Sequence, residues 1–389
     1  MTTYKLTLQT LTPIHIGDGD ELRLGFDFAI HEGKTWRLDE DTILETKWHA
    51  MGLDRPGQRH YPLPGQVLTS ADFQNPAFFR YVLRGTPRSQ RNDARLKGYI
   101  KDPWDKPYIP GSSLKGAVRT ALAWAGWKEG RLEIHDIREM QYYNRREDRW
   151  KAKNRPADRY ERQIFEPANQ HQNPDRRNPN HDLLRALQVS DLHGNLNPNT
   201  ALAVVNAQVL TRHSLQSPIE LEALLPNHTL TGTLKIDETL FTPQAERILH
   251  FDHRKRWLEE LMQRVQAHSR ARIARLAEWF AQAEGAEKVA NFYHQLTGLH
   301  LGNNQALVQI GWGSGWDGKT FWTHLQANER LFEKLMRDFR LQHRRNRNAP
   351  PTRAKDFPVS RRVITTGSKD APRIAAPFGW AVITMETLK

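Results

Sequence analysis

The 389-residue sequence contains no cysteine. This absence excludes disulfides, iron–sulfur clusters and cysteine-ligated zinc in one step. A metal would need histidine and carboxylate ligands, yet the 17 histidines include no HExxH motif and no pair at the spacing of metal ligands. We therefore predict no metal and no other cofactor.

Long apolar segments are also missing. No stretch approaches the roughly 18 to 20 uninterrupted apolar residues that a membrane span needs, and the segment MTTYKLTLQT lacks the apolar core of a signal peptide. Acidic residues are too few to balance the basic ones: 44 Asp and Glu face 57 Lys and Arg, giving a formal net charge of +13. A surplus of this size indicates a polyanionic partner. Together these features predict a cytoplasmic protein that binds nucleic acid and no membrane.

Strand-like and helix-like segments occur in two groups along the chain. Alternating apolar residues predict a first strand over residues 4–12, and residues 26–38 predict a hairpin. A second group of strands rich in Val, Leu and Thr begins midway, and a further strand is predicted over 378–385. The pattern predicts an α+β fold with two units, residues 1–184 and 185–389.

Apolar residues at helical spacing predict three helices. They cover residues 113–124, 254–284 and 320–339. Ser112 and Ser113 stand where the N-cap of the first helix belongs, and Gly126 is expected to end it.

Two segments contain too few apolar residues to build a core. Residues 52–105 are rich in Pro, Gly, Arg and Asn, and we interpret them as an insertion. Residues 144–180 are almost wholly charged or amide-bearing, which predicts a loop that is disordered or becomes ordered on RNA.

The segment PYIPGSSLKGAVRTALAW, which starts at Pro107, carries the first candidate site. Pro110 and Gly111 precede a helical turn whose free backbone N–H groups and positive dipole end favour a phosphate. Lys115 and Arg119 are four residues apart, so they share one helical face and extend this positive region. The motif predicts an anion site, and an ordinary capped surface helix is the alternative.

The segment GWGSGWDGK supplies the second candidate site. Its glycines let the backbone approach a ligand closely, its tryptophans offer surfaces for stacking on bases, and its lysine can meet a phosphate. The spacing is not that of a Walker loop. The candidate RNA contacts in this loop are Gly311, Gly313, Gly315, Trp316 and Lys319. A structural turn that buries its tryptophans is the alternative.

A basic, proline-containing segment over residues 342–373 is the third candidate. Arg361 and Arg362 are its predicted phosphate contacts, because basic residues greatly outnumber acidic ones there. His15 is the fourth, since it follows the first strand and precedes Gly17, where an imidazole can contact RNA or serve as a general acid or base. A solvated charged segment and a hydrogen-bonded turn histidine are the respective alternatives.

Four motifs, taken in order, resemble those of one protein family. They are LTPIHIGDGD, IPGSSLKGAVR, GWGSGW and FGWAVI, and they span residues 11 to 383. This arrangement is similar to that of the RAMP superfamily of CRISPR-associated proteins. Within it, the chain resembles most the head-end subunit of the type III-A (Csm) effector complex.

The resemblance implies two ferredoxin-like (RRM-like) domains with long basic loops and insertions. It implies a non-catalytic subunit that binds guide RNA (crRNA), caps the complex near the crRNA 3′ end, and supports crRNA maturation and target RNA binding in antiviral defence. The implied partners are crRNA, target RNA, RAMP backbone subunits and small helical subunits. Carried over by position, Lys115, Arg119 and residues 311–318 would face the guide RNA.

Two other functions stay open within the same superfamily. A processing endoribonuclease could use His15 as a general acid or base on CRISPR repeat RNA, and the chain could be a RAMP subunit at the opposite end of the guide. In related backbone subunits a loop aspartate after the first strand cuts target RNA. Asp18, Asp20 and Asp27 occupy the comparable stretch here, but none aligns with that acid, and we predict no catalytic residue.

Overall fold

The computed structural model describes residues 2–55, 57, 59–89, 94–153, 155–168, 178–319, 321–341 and 352–388. The strands in these ranges are β1 (Thr2–Thr10), β2 (Gly17–Arg23), β3 (Phe28–His31), β4 (Lys34–Leu38), β5 (Phe79–Arg84), β6 (Arg95–Tyr99), β7 (Gln141–Asn144), β8 (Arg149–Ala152), β9 (Leu187–Val189), β10 (Leu202–Leu210), β11 (Leu215–Leu224), β12 (Thr229–Ile236), β13 (Gln305–Gln309), β14 (Arg361–Thr366), β15 (Arg373–Ala376) and β16 (Trp380–Thr387).

The same ranges contain ten α-helices, which short 3₁₀ turns supplement. They are α1 (Glu40–Thr46), α2 (Gly111–Glu129), α3 (Asp158–Phe165), α4 (Pro198–Ala201), α5 (Pro243–Leu249), α6 (Lys255–Glu259), α7 (Leu261–Ala281), α8 (Glu287–Thr297), α9 (Trp322–Leu325) and α10 (Glu329–Asp338).

A five-stranded sheet carries the order β13-β16-β1-β12-β9. Read along the chain, its elements run β1, α2, β9, β12, α7 and β16, and the four strands of this series lie in the spatial order 4-1-3-2. This is the split βαβ arrangement of a ferredoxin-like domain, with β13 added at the edge. The predicted α+β class with ferredoxin-like folding is confirmed.

Strand β1 lies in the middle of this sheet, and its alternate apolar side chains give it one buried face. Leu6 and Leu8 are buried on one face, where they meet Leu114, Val118 and Leu122 of α2 in one core. Helix α7 packs on both α2 and β13. The sheet and the two long helices therefore enclose the main core.

A second sheet of nine strands has the order β2-β6-β11-β10-β5-β4-β3, with β14 on β10 and β15 on β14, within the described ranges. Both sheets contain strands from each side of residue 184, so neither sheet coincides with one of the predicted units, 1–184 and 185–389. The boundary between those units stays a prediction.

The interpretation of residues 52–105 as an insertion is wrong for β5 and β6. Tyr81, Leu83, Leu96 and Tyr99 on these strands are buried, and the strands pair with β4, β10, β2 and β11. Each strand is only five or six residues long, so its apolar alternation is hidden by the polar connections on either side.

The prediction of an unstructured loop at 144–180 is wrong for two parts of it. Strands β7 and β8 form a hairpin, and α3 buries Tyr160, Ile164 and Phe165. Three apolar residues within eight are enough to attach this short helix to the core. Residues 169–177 lie outside the described residues.

Helix α2 is longer than predicted, and its N-cap is Pro110 rather than Ser112 or Ser113. Gly126 lies inside the helix, where a Cβ would come within 2.8 Å of Ile164 and Trp257. This glycine allows close packing instead of ending the helix. The helix predicted over 254–284 is present but is interrupted at Glu260.

Candidate RNA interface

The glycine-rich loop, residues 311–318, follows β13 and turns sharply against the end of β1. Gly311, Gly313 and Gly315 all have positive φ, between 75° and 88°, which glycine adopts without strain. A Cβ at Gly311 would lie 2.4 Å from the carbonyl oxygen of His15, and one at Gly313 would lie 2.8 Å from Phe378. The glycines are therefore required by the packing of the loop itself.

A buried ion cluster of Asp317, Arg361 and Arg272 anchors the loop to its neighbouring elements. The Arg361 guanidinium donates to Asp317 at 2.7 Å, and Arg272 lies 3.9 Å from the same carboxylate. Arg272 also donates to Gln309 at 2.6 Å and to the Ser314 carbonyl at 3.0 Å. Burial opposes ionisation, but the two guanidinium groups lower the pKa of Asp317 below its ordinary value. Arg361 thus has an internal partner.

The N-terminus of α2 holds an anion that the protein itself supplies. The backbone N–H of Gly111 donates to the Asp191 carboxylate at 2.8 Å. A Cβ at Gly111 would lie 2.3 Å from the Val189 carbonyl oxygen, so the turn is closed against the segment after β9. The Asp191 carboxylate therefore lies at this helix end, where the sequence predicts a phosphate.

Lys115 and Arg119 also have partners within the chain. The Lys115 ammonium donates to the Leu187 carbonyl at 2.6 Å, and burial lowers the pKa of Lys115 below its ordinary value. Arg119 donates to Asp182 at 2.8 Å and to Glu161 at 3.3 Å. Both side chains link α2 to neighbouring elements, and their contact with RNA stays a prediction.

A cavity of about 290 Å³ brings helix α2 and the glycine-rich loop together. Arg119 lies on one side, and Trp316 and Lys319 lie on another, while Phe321, Leu335 and Met140 supply apolar walls. Lys319 is exposed, whereas Trp316 packs edge-on against Phe357 with ring centroids 5.1 Å apart. Three of the predicted contacts therefore share one cavity, although they are about 200 residues apart in sequence.

Arg362 lies on the outer side of the loop. Its guanidinium carbon is 4.8 Å from the centre of the Trp312 ring, at a distance typical of a cation–π contact. The side chain of Arg362 is exposed, unlike that of its neighbour Arg361. Of the two predicted contacts in this strand, Arg362 is the one that solvent can reach.

His15 is buried, with only 2% of its surface exposed. Its Nδ1 lies 2.6 Å from the Glu222 carbonyl oxygen, and its ring is edge-on to Tyr99 and Trp312. Burial lowers the pKa of His15 below its ordinary value, so the ring is neutral at pH 7. This histidine links the segment after β1 to the second sheet and to the glycine-rich loop.

Sequence reasoning missed a buried polar cluster next to His15. The fully buried Glu222 carboxylate accepts hydrogen bonds from Lys101 at 2.7 Å, from the Tyr81 hydroxyl at 2.8 Å and from the Tyr99 N–H at 2.9 Å. Burial would raise the pKa of Glu222, but Lys101 and these hydrogen bonds lower it. The available signal was a glutamate between Leu221 and Ala223, in an otherwise apolar run.

The loop carboxylates make local contacts. Asp18 accepts from the Asp20 N–H at 2.9 Å, and Asp27 accepts from the Arg23 N–H at 2.7 Å. Within the part of the chain that the structure describes, no three metal-ligating side chains cluster. In the same part, no helix combines the length and apolarity needed to cross a membrane.

The RAMP superfamily matches residues 7–316, which include the strand, helix and glycine-rich loop described above. The chain belongs to the RAMP superfamily. This RAMP chain is 33% identical over 136 residues to the CRISPR system Cms protein Csm5 of Streptococcus thermophilus, a match that covers 31% of the chain and 38% of that relative. It is 22% identical over 353 residues to the Csm5 protein of Mycobacterium tuberculosis H37Rv, which covers 82% of the chain and 83% of the relative.

Two solved structures share the fold over nearly the whole RAMP chain. One is a chain of a cryo-EM structure of a Csm–crRNA–target RNA ternary complex of a type III-A CRISPR–Cas system, with a TM-score of 0.69, 23% identity, and coverage of 98% of this chain and 100% of that one. The other is the crystal structure of T. onnurineus Csm5, with a TM-score of 0.61, 23% identity, and coverage of 97% and 99%.

Proposed function

We propose that the chain is a non-catalytic, guide-RNA-binding subunit of a type III-A CRISPR (Csm) effector complex. It caps the head of the complex near the crRNA 3′ end and supports crRNA maturation and target RNA binding. The observation that carries the proposal is the meeting of helix α2 and the glycine-rich loop at one cavity, with the exposed Lys319 beside it. The relatives named Csm5 support the same assignment.

Charge supports RNA as the ligand. The chain has a net charge of +13, and Lys319 and Arg362 remain exposed beside the tryptophans of the loop. Cationic side chains next to aromatic rings are the usual means of holding single-stranded RNA. The proposed partners are crRNA, target RNA, RAMP backbone subunits and small helical subunits, all in the cytoplasm.

The first test is co-purification. A tagged chain, expressed with the other CRISPR-associated genes of its source, should carry crRNA and the RAMP backbone subunits through two affinity steps. Isolation of the chain alone, without RNA, would contradict the proposal. Recovery with partners and with guide RNA whose 3′ end is uncovered in footprinting would contradict the capping position only.

Electrostatic binding can be tested with salt. Because cationic contacts release counterions from RNA, affinity for single-stranded RNA should fall steeply between ~50 and ~200 mM monovalent salt. Fluorescence anisotropy with a labelled guide RNA measures the slope. A flat dependence would instead assign the positive charge to protein partners.

Lack of catalysis is the part of the proposal that a nuclease assay tests. Purified chain should leave repeat, guide and target RNA intact, with or without divalent metal. The burial of His15 and the contact of its Nδ1 with a backbone carbonyl argue against a general acid or base at this position. Metal-dependent cleavage that Asp18→Ala, Asp20→Ala or Asp27→Ala abolishes would overturn the assignment.

A further inference from the structure

Strands β7 and β8 form a small hairpin that exposes a pair of aromatic rings. Tyr143 pairs directly with Trp150 across the two strands, so both side chains lie on one face. Their ring centroids are 5.5 Å apart in an edge-to-face arrangement. The two residues remain 45% and 43% exposed. Two large aromatic side chains that stay exposed side by side form the kind of apolar patch on which contact surfaces are built.

The charge of this hairpin favours a polyanion. Residues 138–153 contain six cationic and three acidic side chains. Glu147 is engaged by Arg149 and Lys151, and Asp148 accepts from the Tyr143 hydroxyl. The turn between the strands presents two further cationic side chains, Arg145 and Arg146, both exposed. Glu147 is thus neutralised by its neighbours, and the hairpin as a whole keeps a positive surplus.

The Trp150 indole is held in place beside these cations. The Arg138 guanidinium carbon lies 5.3 Å from the centre of its ring, in cation–π contact. Because Arg138 and Tyr143 restrict the indole, its exposed surface is oriented before any ligand arrives. Preorganised aromatic surfaces next to cations are the feature on which single-stranded RNA bases stack.

The hairpin adjoins the cavity between α2 and the glycine-rich loop. Met140, directly before β7, and Pro156, shortly after β8, both line that cavity together with Lys319 and Arg119. The base of the hairpin is therefore continuous with the candidate RNA interface. This continuity and the net positive charge of the hairpin favour RNA over a protein as the occupant.

We propose that the β7–β8 hairpin is a stacking platform for an unpaired base of the bound RNA. The base contacts the exposed surface of Trp150 and Tyr143, and Arg145 and Arg146 contact the backbone phosphates on either side of it. The inference rests on the proposed function, because it assigns a further part of the chain to the same RNA.

The test uses the full-length chain and a fluorescein-labelled, unstructured single-stranded RNA of about 20 nucleotides. Trp150→Ala should weaken binding about 5- to 150-fold, the range expected for loss of one base–aromatic stack. Trp150→Phe retains a ring and should stay within about threefold of the parent. The matched control is Trp104→Ala, which removes a tryptophan that is 77% exposed on a different turn and should not change affinity.

A second ligand separates stacking from charge. Abasic substitutions through the RNA should weaken its binding to the parent protein. They should change the affinity of Trp150→Ala much less, because this variant has already lost the stack. Arg145→Ala with Arg146→Ala should weaken binding to normal and abasic RNA alike and reduce the salt dependence. We expect these variants to remain folded, because the substituted side chains of Trp104, Arg145, Arg146 and Trp150 are exposed. Circular dichroism and urea unfolding check this.

Three outcomes overturn the platform. Affinity of Trp150→Ala and Tyr143→Ala equal to that of Trp104→Ala, with the parent binding RNA well, contradicts the platform and leaves the proposed function standing. If Trp150→Ala and Tyr143→Ala keep normal RNA affinity but lose a co-purifying subunit, the hairpin is a protein interface instead. Failure of the parent itself to bind RNA contradicts the proposed function and the platform together.

Discussion

The glycine-rich loop and the β7–β8 hairpin differ in how their polar groups are used. In the loop, Asp317 is buried and paired with Arg361 of β14, and positive-φ glycines let the backbone pack closely. In the hairpin, Tyr143, Trp150 and the arginines of the turn stay at the surface. Residue types associated with phosphate binding can therefore serve internal packing. The β7–β8 hairpin, whose sequence is mostly polar, exposes aromatic and cationic side chains instead.

The largest effect should come from breaking the ion cluster under the loop. Asp317→Ala leaves Arg361 and Arg272 buried without their carboxylate, which should cost about 3–5 kcal/mol of the free energy of unfolding. Urea denaturation followed by tryptophan fluorescence measures this. Arg362→Ala is the control, because its exposed side chain should change stability by less than about 0.5 kcal/mol. Equal, small losses for both variants would show that the cluster does not hold the loop.

A buried histidine near this cluster should make stability depend on pH. Burial lowers the pKa of His268 to about 3, whereas an unfolded histidine titrates near ~6.5. Between these values the unfolded state binds a proton that the folded state does not, so stability is lost as the pH falls below ~6.5. At pH 5 the loss from this group is about 2 kcal/mol.

The measurement is the difference in unfolding free energy between pH 7 and pH 5. His268→Gln should reduce this difference by the contribution of the histidine, whatever its effect at either pH alone. His294→Gln, at an exposed position of α8, is the matched control. A pH difference that His268→Gln leaves unchanged would assign the acid sensitivity to other groups.

A smaller effect distinguishes exposed from internally paired lysines. Lys319→Ala should weaken RNA binding about three- to tenfold without changing stability, because its exposed ammonium is available to a phosphate. Lys115→Ala should, unlike Lys319→Ala, also lower the free energy of unfolding by about 1–2 kcal/mol, since it removes a hydrogen bond to a part-buried carbonyl. Anisotropy and urea unfolding of both variants give the comparison.

A double variant of α2 tests whether Lys115 and Arg119 contact the guide RNA. Lys115→Ala with Arg119→Ala should weaken RNA binding roughly ten- to hundredfold if both residues contact the guide. A folded double variant with parental affinity and normal assembly would show that their bonds to Leu187, Asp182 and Glu161 are their only role.

The sequence was most informative where apolar periodicity was long. Helix α2 and the α7 segment were predicted because apolar side chains recur over two helical turns or more, and β1 was predicted because apolar side chains alternate along it. Strands β5 and β6 were not, because each is short and carries arginine or lysine on its outer face. Charged composition hid α3 for the same reason, since only Tyr160, Ile164 and Phe165 anchor it among polar neighbours.

The site residues depend on a different kind of information. Residue type and spacing predict RNA contacts at the loop and at Lys319, but pairing within the chain decides whether a cation is available, and pairing depends on distant residues. Arg119 is paired with Asp182, and Arg361 is paired with Asp317. The N-terminus of α2 donates a hydrogen bond to Asp191. Glu222 was missed because a single buried carboxylate in a strand has no local motif.

The central position of β1 has a consequence for synthesis on the ribosome. Its hydrogen-bonding neighbours are β12 and β16, and the Trp380 N–H reaches Thr12 across 368 positions of sequence. At roughly 5–20 residues per second, β1 leaves the ribosome tens of seconds before its last neighbour is made. During that interval one edge of a strand with an apolar face stays open to wrong pairing. Expression at low temperature, which slows elongation, lengthens the exposed period.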